Sequence, residues 1–583
     1  MKHVNNIAEL ADEKQKLVSF LLEEDDFELD NRISRRGLRS EAPLSFAQQR
    51  LWFLDQMTPG LAAYNVVNVG RFRGLLDVNA LQKALSEIYA RHESLRTTFK
   101  NVEGSPVQVI SEQTQLSFLV EDLSVLSADE RESAALRIVC QASQEPFDLE
   151  RGPLFRVRLL RLGPENHILS VVTHHIVSDG WSLGIFLHEL APLYEAYSEG
   201  KPSPLPELPI QFADYAQWQR EYLQGPILEK QLSYWREHLG KDLPTLELLT
   251  DHPRPSIQTF NGSFTRFHIA EDLTRQIREF CQREKITTYI LFMAVYNILL
   301  SRYTGQHDIL VGSPIAGRNR PETEKLIGLF INTLVLRTRL EGYPSFREVL
   351  RRVREASLAS YDHQDVPFEK IVEELQPSRD LSRSPVFQAM LILQAPAAPA
   401  GFKGIEVTPV DLELTTTKFD LTLFLCEFSE VIEGFVEYNT DLFEGRTMER
   451  MLEHFQNLLK AGLQDPEQAI ATLPLLSAEE RRQVVEEWNR TGMEYDEQAS
   501  IPDLVGEQAL RRPQAVAVRC GEEALSYQEL EQRSNRLARR LRKLGVGREQ
   551  LVGICVERSV RMVVGLLGIM KAGAAYVPLD PSF

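Results

Sequence analysis

Val171 to Trp181 reads VVTHHIVSDGW, and this stretch holds the residue types best suited to chemistry: His174 and His175 side by side, then Asp179 and Gly180 after three spacers. An imidazole with a reference pKa of about 6.5 exchanges its proton near neutral pH, so a histidine held beside a substrate can act as a general base or a hydrogen-bond acceptor. Neighbouring residues on an extended chain face opposite ways. One ring can therefore meet a substrate while the other is fixed by hydrogen bonds inside the fold. Adjacency alone does not separate catalysis from the ordinary polar duty of a histidine pair. A metal site fits poorly, because adjacent imidazoles chelate one ion badly and no HExxH or CxxC lies nearby.

Something rigid must present that pair. The apolar run Ile168 to Thr173 predicts a strand, Gly163 to Asn166 a turn, and Phe155 to Leu162 its hairpin partner. The histidines then fall where a strand gives way to a loop, with Gly180 expected to allow a sharp backbone path and Asp179 close enough to fold back on the turn. Further along, Asp77 is placed to cap a helix bearing Leu81, Leu85 and Ile88, and Thr287–Thr288 precede an apolar helix over Tyr289 to Tyr303. Asp308 to Ser313 reads as a strand and Pro314 to Arg318 as a loop. Helix followed by strand recurs in both halves, which predicts two related α/β lobes, with the Pro-rich KPSPLPELP at Lys201 to Pro209 crossing between them. Ala8 to Leu22 reads as a linker or docking helix with a thin leucine stripe. Ala478 to Trp488 reads as a charged connecting helix, and a new α/β region opens near Ile501.

The 583 residues suffice for several domains, and 43% hydrophobic content supports a packed core. A net charge of −18 argues against nucleic-acid binding. Five scattered cysteines form no CxxC or metal-like cluster, no apolar run is long enough to span a bilayer, and the N-terminus has no hydrophobic signal segment. A cytoplasmic setting without a membrane is the expectation.

Seven motifs, in order, resemble the condensation domain of nonribosomal peptide synthetases: LSFAQQRLWFL (Leu44 to Leu54), RHESLRTTF (Arg91 to Phe99), HHIVSDGW (His174 to Trp181), QFADYAQWQ (Gln211 to Gln219), IGLFINTLVLR (Ile327 to Arg337), HQDVPFE (His363 to Glu369) and SRDLSRSPVFQ (Ser378 to Gln388). The family often has Asn where this chain has Ser384. LSYQEL and MKAGAAYVPLD, at Leu525 and Met570, resemble the opening motifs of an adenylation domain, without its phosphate loop and with no carrier domain. The pattern predicts a chain that stops inside that domain.

The resemblance implies an α/β fold of two chloramphenicol-acetyltransferase-like lobes forming a V-shaped pseudodimer. Expected boundaries are 1–40 for a linker or docking helix, 41–205 for the N-lobe, 206–470 for the C-lobe, 471–500 for a linker and 501–583 for the adenylation start. It further implies peptide-bond formation: the α-amine of a carrier-bound aminoacyl group attacks an upstream carrier-bound thioester, with L-configured partners. His175 would accept the amine proton or hydrogen-bond the amine, His174 would serve structure, Asp179 would pair with Arg318, and Gly180 would let a backbone N–H approach the oxyanion. Trp181, Ser313, Asn332, Thr333 and Ser384 would line the channel, while His92 and His363 read as structural. No cofactor would bind the chain itself; substrates would arrive on phosphopantetheine arms. Partners would be the upstream and downstream carrier domains and the rest of the adenylation domain. Starter-type N-acylation, ester formation, or a silent carrier-binding platform are the competing readings.

Overall fold

The structure, a computed structural model, describes residues 32–37, 40–377, 380–394, 401–412 and 415–582. The helix expected over Ala8 to Leu22 lies outside them. The chain forms two compact units, one ending at Glu479 and one running from Glu480 to Phe583.

The larger unit holds two mixed sheets. The first lobe's sheet has five strands in the order Glu406–Pro409, Asn65–Arg73, Asn166–His174, Phe155–Gly163 and Phe118–Asp122. Residues 167–174 are buried on both faces, which explains why the sequence there is a near-continuous apolar run rather than an alternating one. The predicted hairpin is present, with Phe155 opposite Thr173. The helices Val78–Arg91 and Gly180–Ser198 cover one face. Asp77 caps the first by accepting from the N–H of Asn79 and Ala80, and Leu81, Leu85 and Ile88 are fully buried. Three such side chains contribute roughly 1.5–3 kcal/mol each, far more than helix propensity differences, so packing decides this element.

The second lobe's sheet has six strands in the order Asn332–Arg339, Asp308–Ile315, Ala389–Gln394, Leu421–Glu427, Ile432–Asn439 and Gly262–Ile269. The helix Thr288–Thr304, capped by Thr287, is apolar on every side because the helices Glu271–Glu284, Phe346–Tyr361 and Gly445–Gln464 and the sheet enclose it.

The lobes are not split at one point of the chain. The strand Glu406–Pro409 lies within the second lobe's sequence but pairs antiparallel with Asn65–Arg73 of the first sheet, while Phe402 and Ile405 just before it enter the first lobe's core. Helix Phe212–Tyr222, beyond the Pro-rich crossing, packs Phe212, Tyr215 and Ala216 against Leu44, Leu51 and Val172 of the first lobe. Before Glu41, Ile33 is buried and Arg36 pairs with Asp214 at 2.8 Å and Glu93 at 2.5 Å, so this end of the chain is part of the lobe.

In the smaller unit, the antiparallel pair Val516–Cys520 with Glu523–Ser526 and the parallel pair Leu551–Cys555 with Ala575–Leu579 pack with helices Ile501–Arg511, Tyr527–Lys543 and Val560–Ala572. Ala478–Arg482 is helical, and the five residues after it continue as a wider π turn.

Candidate active site

His174 ends the central strand and His175 begins a single 3₁₀ turn, His175–Val177; Asp179 then caps the helix Gly180–Ser198. His174 is buried, and its Nδ1 accepts from the N–H of Ile176 at 3.1 Å, so the proton sits on Nε2. Phe147 meets this ring edge-on at 6.1 Å and Tyr64 lies 6.4 Å away. Burial, then the neighbouring His175 and Lys418, lower its pKa to about 3.

His175 has the opposite arrangement. Its Nδ1 lies 2.9 Å from the carbonyl oxygen of Ser178. A carbonyl only accepts, so Nδ1 carries the hydrogen and the lone pair sits on Nε2. Whereas His174 beside it is buried, His175 is partly buried. Burial and Lys418 lower its pKa to about 4, against the opposing pull of Asp179.

Asp179 does not reach either imidazole among the described hydrogen bonds. Its Oδ1 accepts from the Ser182 N–H at 2.9 Å, the Ser182 hydroxyl at 2.7 Å and Arg318 Nη2 at 3.2 Å, and Oδ2 accepts from the Phe330 N–H at 2.9 Å. Arg318 in turn donates through Nη1 to the carbonyls of Thr323 at 2.6 Å and Leu326 at 2.7 Å, and lies over the Phe330 ring at 4.1 Å. Both side chains are almost fully buried, and burial pulls the guanidinium below its usual pKa although Asp179 opposes this. The pair thus locks the histidine turn of one lobe to the loop between two strands of the other. Gly317 makes that loop possible: its φ is +63°, and a Cβ there would stand 2.0 Å from the carbonyl oxygen of Phe330.

Several expectations change. Gly180 is not a strained turn residue; it is the first residue of the helix, its φ is not positive, and the nearest atom to an added Cβ would be Gln394 Nε2 at 4.0 Å. Ser313 is sealed, accepting the Tyr289 hydroxyl at 2.7 Å, and does not line an open channel. Asn332 is fully spent on structure: its amide donates to the carbonyls of Gln364 and Val366, and its oxygen accepts the N–H of Thr333 and Phe368. Ser384 is buried in the segment before Ala389–Gln394. Trp181 is half exposed and donates its indole N–H to the Glu324 carbonyl at 3.2 Å, bracing the Arg318 loop. Thr333 is partly buried beside Asn332. His92 accepts from the Ile327 N–H and meets Glu189 at 2.8 Å, and His363 donates to the Ala359 carbonyl and stacks on Tyr234.

Sequence reasoning missed Lys418. It lies outside every motif, three residues before the strand Leu421–Glu427, yet its Nζ sits 5.2 Å from the centre of the Tyr64 ring. Among the described residues, no group of three or more His, Cys, Asp or Glu is arranged to hold a metal, and no helix is long and apolar enough to cross a membrane.

The condensation-domain family profile matches residues 38–485, and the AMP-binding-enzyme profile matches residues 505–583. A linear gramicidin synthase polypeptide of Brevibacillus parabrevis is 47% identical over 556 residues, covering 94% of this chain and 11% of that protein. Bacitracin synthase 2 of Bacillus licheniformis is 39% identical over 555 residues, 95% of this chain and 21% of that one. The chain therefore spans about a tenth to a fifth of these relatives. Among solved structures, the X-domain from teicoplanin biosynthesis superposes with a TM-score of 0.70 at 28% identity, covering 76% of this chain and 100% of its own. A four-domain nonribosomal peptide synthetase bound to AMP and glycine superposes at 0.81 with 24% identity, over 95% of this chain and 43% of its own. The V-shaped two-lobed pseudodimer expected from the motifs is the fold of these neighbours.

Proposed function

This chain belongs to the condensation-domain family of nonribosomal peptide synthetases, and from that premise we propose that it joins two carrier-bound substrates by an amide bond. The donor is an aminoacyl or peptidyl thioester on an upstream carrier, and the acceptor is the α-amine of an aminoacyl group on a downstream carrier. Each rides on a phosphopantetheine arm, so the chain itself needs no bound cofactor. The remainder of the adenylation domain is a third partner, and five free cysteines suit a reducing cytosol.

One observation carries the reading: the Nδ1–H of His175 is bonded to Ser178, which leaves the Nε2 lone pair for the acceptor amine. The α-amine, with a reference pKa of about 8, is partly neutral near pH 7 and attacks the thioester carbon. As the C–N bond forms, the carbonyl electron pair moves to oxygen and the nitrogen gains positive charge. His175 accepts that proton. With a pKa of about 4 it holds the proton for only about one part in a thousand of the time at pH 7, so it passes the proton on and does not store it. The tetrahedral adduct collapses, the C–S bond breaks, and the thiolate takes up the proton. The backbone N–H of Gly180, at the start of the helix Gly180–Ser198, suits the developing oxyanion. His175 contributes positioning as well as base catalysis: orienting two tethered reactants can supply up to about 7–11 kcal/mol and general base help about 10²–10⁴-fold.

The test is single-turnover condensation between two loaded carriers by the wild type and His175→Ala. Loss of product on substitution is expected; an unchanged rate overturns the reading. Parallel reactions with a hydroxyl acceptor and an acyl-CoA donor separate ester formation and starter acylation, and carrier binding without turnover would assign a silent platform.

A further inference from the structure

In the second lobe's sheet, Leu391, Leu423 and Val436 point into the core beneath the helices. Side chains alternate along a strand, so their neighbours Ile392, Phe424 and Phe435 point to the opposite face. Register sets these three side by side: Ile392 lies opposite Phe424, and Phe424 opposite Phe435. The two rings stack at 4.4 Å, and Phe264 meets Phe435 edge-on at 5.9 Å. Ile392, Phe424 and Phe435 are all half-buried. Ile392 leans on the core that holds Trp235 and Phe387. The rings of Phe424 and Phe435 join none of the buried cores among the described residues.

Contacts on either side show what this row faces. Residues two apart on a strand share a face and stand about 7 Å apart. One such step along, Gln394 lies opposite Cys426, and its Nε2 stands 4.0 Å from where a Cβ on Gly180 would be. Gly180 opens the helix that follows the His175 turn. One step the other way, Thr422 lies opposite Glu437, which accepts the Thr417 hydroxyl at 2.9 Å. The next residue, Lys418, sets its ammonium 5.2 Å from the centre of the Tyr64 ring of the first lobe. The apolar row therefore runs between two places where the second lobe meets the first, and one of them adjoins the histidine turn.

We propose that Ile392, Phe424 and Phe435 form the wall that receives the side chain of one of the two joined aminoacyl groups, and that this wall selects an apolar side chain. The inference rests on the condensation reading and names the substrate class that its site prefers. Two phenyl rings and a branched aliphatic group offer no conventional hydrogen-bond donor or acceptor. A polar side chain pressed against them gives up water without compensation. An apolar one removes its own surface and the open surface of the rings from water together. The charged groups beside the row do not reverse this preference. Glu437 is engaged by Thr417, Arg266 pairs with Asp411 at 2.9 Å, and Glu433 lies exposed opposite Cys426. A methylene gained or lost in a closed apolar pocket changes discrimination by about 10–200-fold, and a wall open on one side belongs at the low end of that range.

The experiment uses the full chain and two loaded carriers in single-turnover condensation. In one arm the acceptor carries L-leucine or L-alanine against a fixed glycyl donor. In the other the donor carries L-leucine or L-alanine against a fixed glycyl acceptor. In one of the arms the wild type is expected to favour leucine by about tenfold or more. Phe424→Ala and Phe435→Ala should each cut that ratio by about threefold or more, and Phe424→Leu should largely keep it. Both rates come from the same variant, so loss of folded protein lowers them together while the ratio still reports the folded site. If one alanine variant does not fold, the other reads the same wall. The arm in which the ratio moves identifies whether donor or acceptor side chain meets the rings. A wild-type ratio near one in both arms, or a ratio that neither alanine variant moves, overturns this proposal and leaves the condensation reading standing. If the wild type forms no dipeptide from any pair, the condensation reading fails and takes this inference with it.

Discussion

Replacing Asp179 with alanine tests whether this carboxylate is an anchor or a participant in the chemistry. It strips the acceptor from two buried N–H donors, those of Ser182 and Phe330, leaves the Ser182 hydroxyl only the Gly328 carbonyl at 3.0 Å, and leaves the Arg318 guanidinium, 1% exposed, without its counter-charge. Breaking a buried pair from one side costs about 3–5 kcal/mol. Each orphaned donor adds about 1–3 kcal/mol where water cannot enter, so 3 kcal/mol is a lower figure rather than a central one. Against a total stability of about 5–15 kcal/mol, that loss is plain in a urea titration. Arg318→Met should cost less than Asp179→Ala, because Asp179 keeps its three other donors. The double variant should recover about 2 kcal/mol or more relative to the sum of the two. Condensation should fall with stability, since the same contacts hold the turn that aims His175. A hundredfold loss of turnover in Asp179→Ala with an unmoved urea midpoint would refute the anchor argument and assign the carboxylate a direct part in proton transfer.

Other outcomes follow from the same geometry. His174→Ala should unfold at lower urea than His175→Ala, because His174 alone is packed between Phe147 and Tyr64 and accepts the Ile176 N–H. Acid should weaken the larger unit. His174 and His175 ionise near 6.5 when unfolded but near 3 and 4 when folded, so stability is complete above pH 6.5 and declines as pH falls toward 4; urea midpoints at pH 7.5 and 5 measure this. Gly317→Ala should lower condensation by displacing the Arg318 loop, with product per turnover as the readout. Phe402→Ala removes a ring that packs 5.2 Å from Phe72 and 5.7 Å from Tyr194, and should cost about 3–5 kcal/mol in denaturant.

Local signals in the chain were readable where physics is local. The Asp77 and Thr287 caps, the leucine spacing of Val78–Arg91 and the apolar run into His174 each rest on contacts within a few residues, and they stand in the structure. The recurring helix–strand pattern already pointed to two lobes; the family motifs supplied what periodicity could not, namely the partnership of Asp179 with Arg318, 139 residues apart. The misreadings have a common cause. Asn332 and Ser313 look like channel groups because they are polar and near strand ends, but whether a polar side chain faces substrate or is consumed by a distant carbonyl depends on loops that sequence does not place. Gly180 looked like a conformational necessity, yet its backbone is ordinary helix. Lys418 was invisible because one lysine ahead of a strand is the commonest of surface residues, and only the approach of Tyr64 from the other lobe gives it meaning.

The four residues Glu406–Pro409 make the two halves inseparable. Moving the lobes apart must either stretch the chain on both sides of this strand or peel it from its neighbour. Expressed without that strand, the first half would present Asn65–Arg73 as a bare edge, open to pairing with another copy. Recombination points for building hybrid synthetases therefore belong outside the span from Asn65 to Pro409, since a junction inside it would divide one sheet between two ancestries.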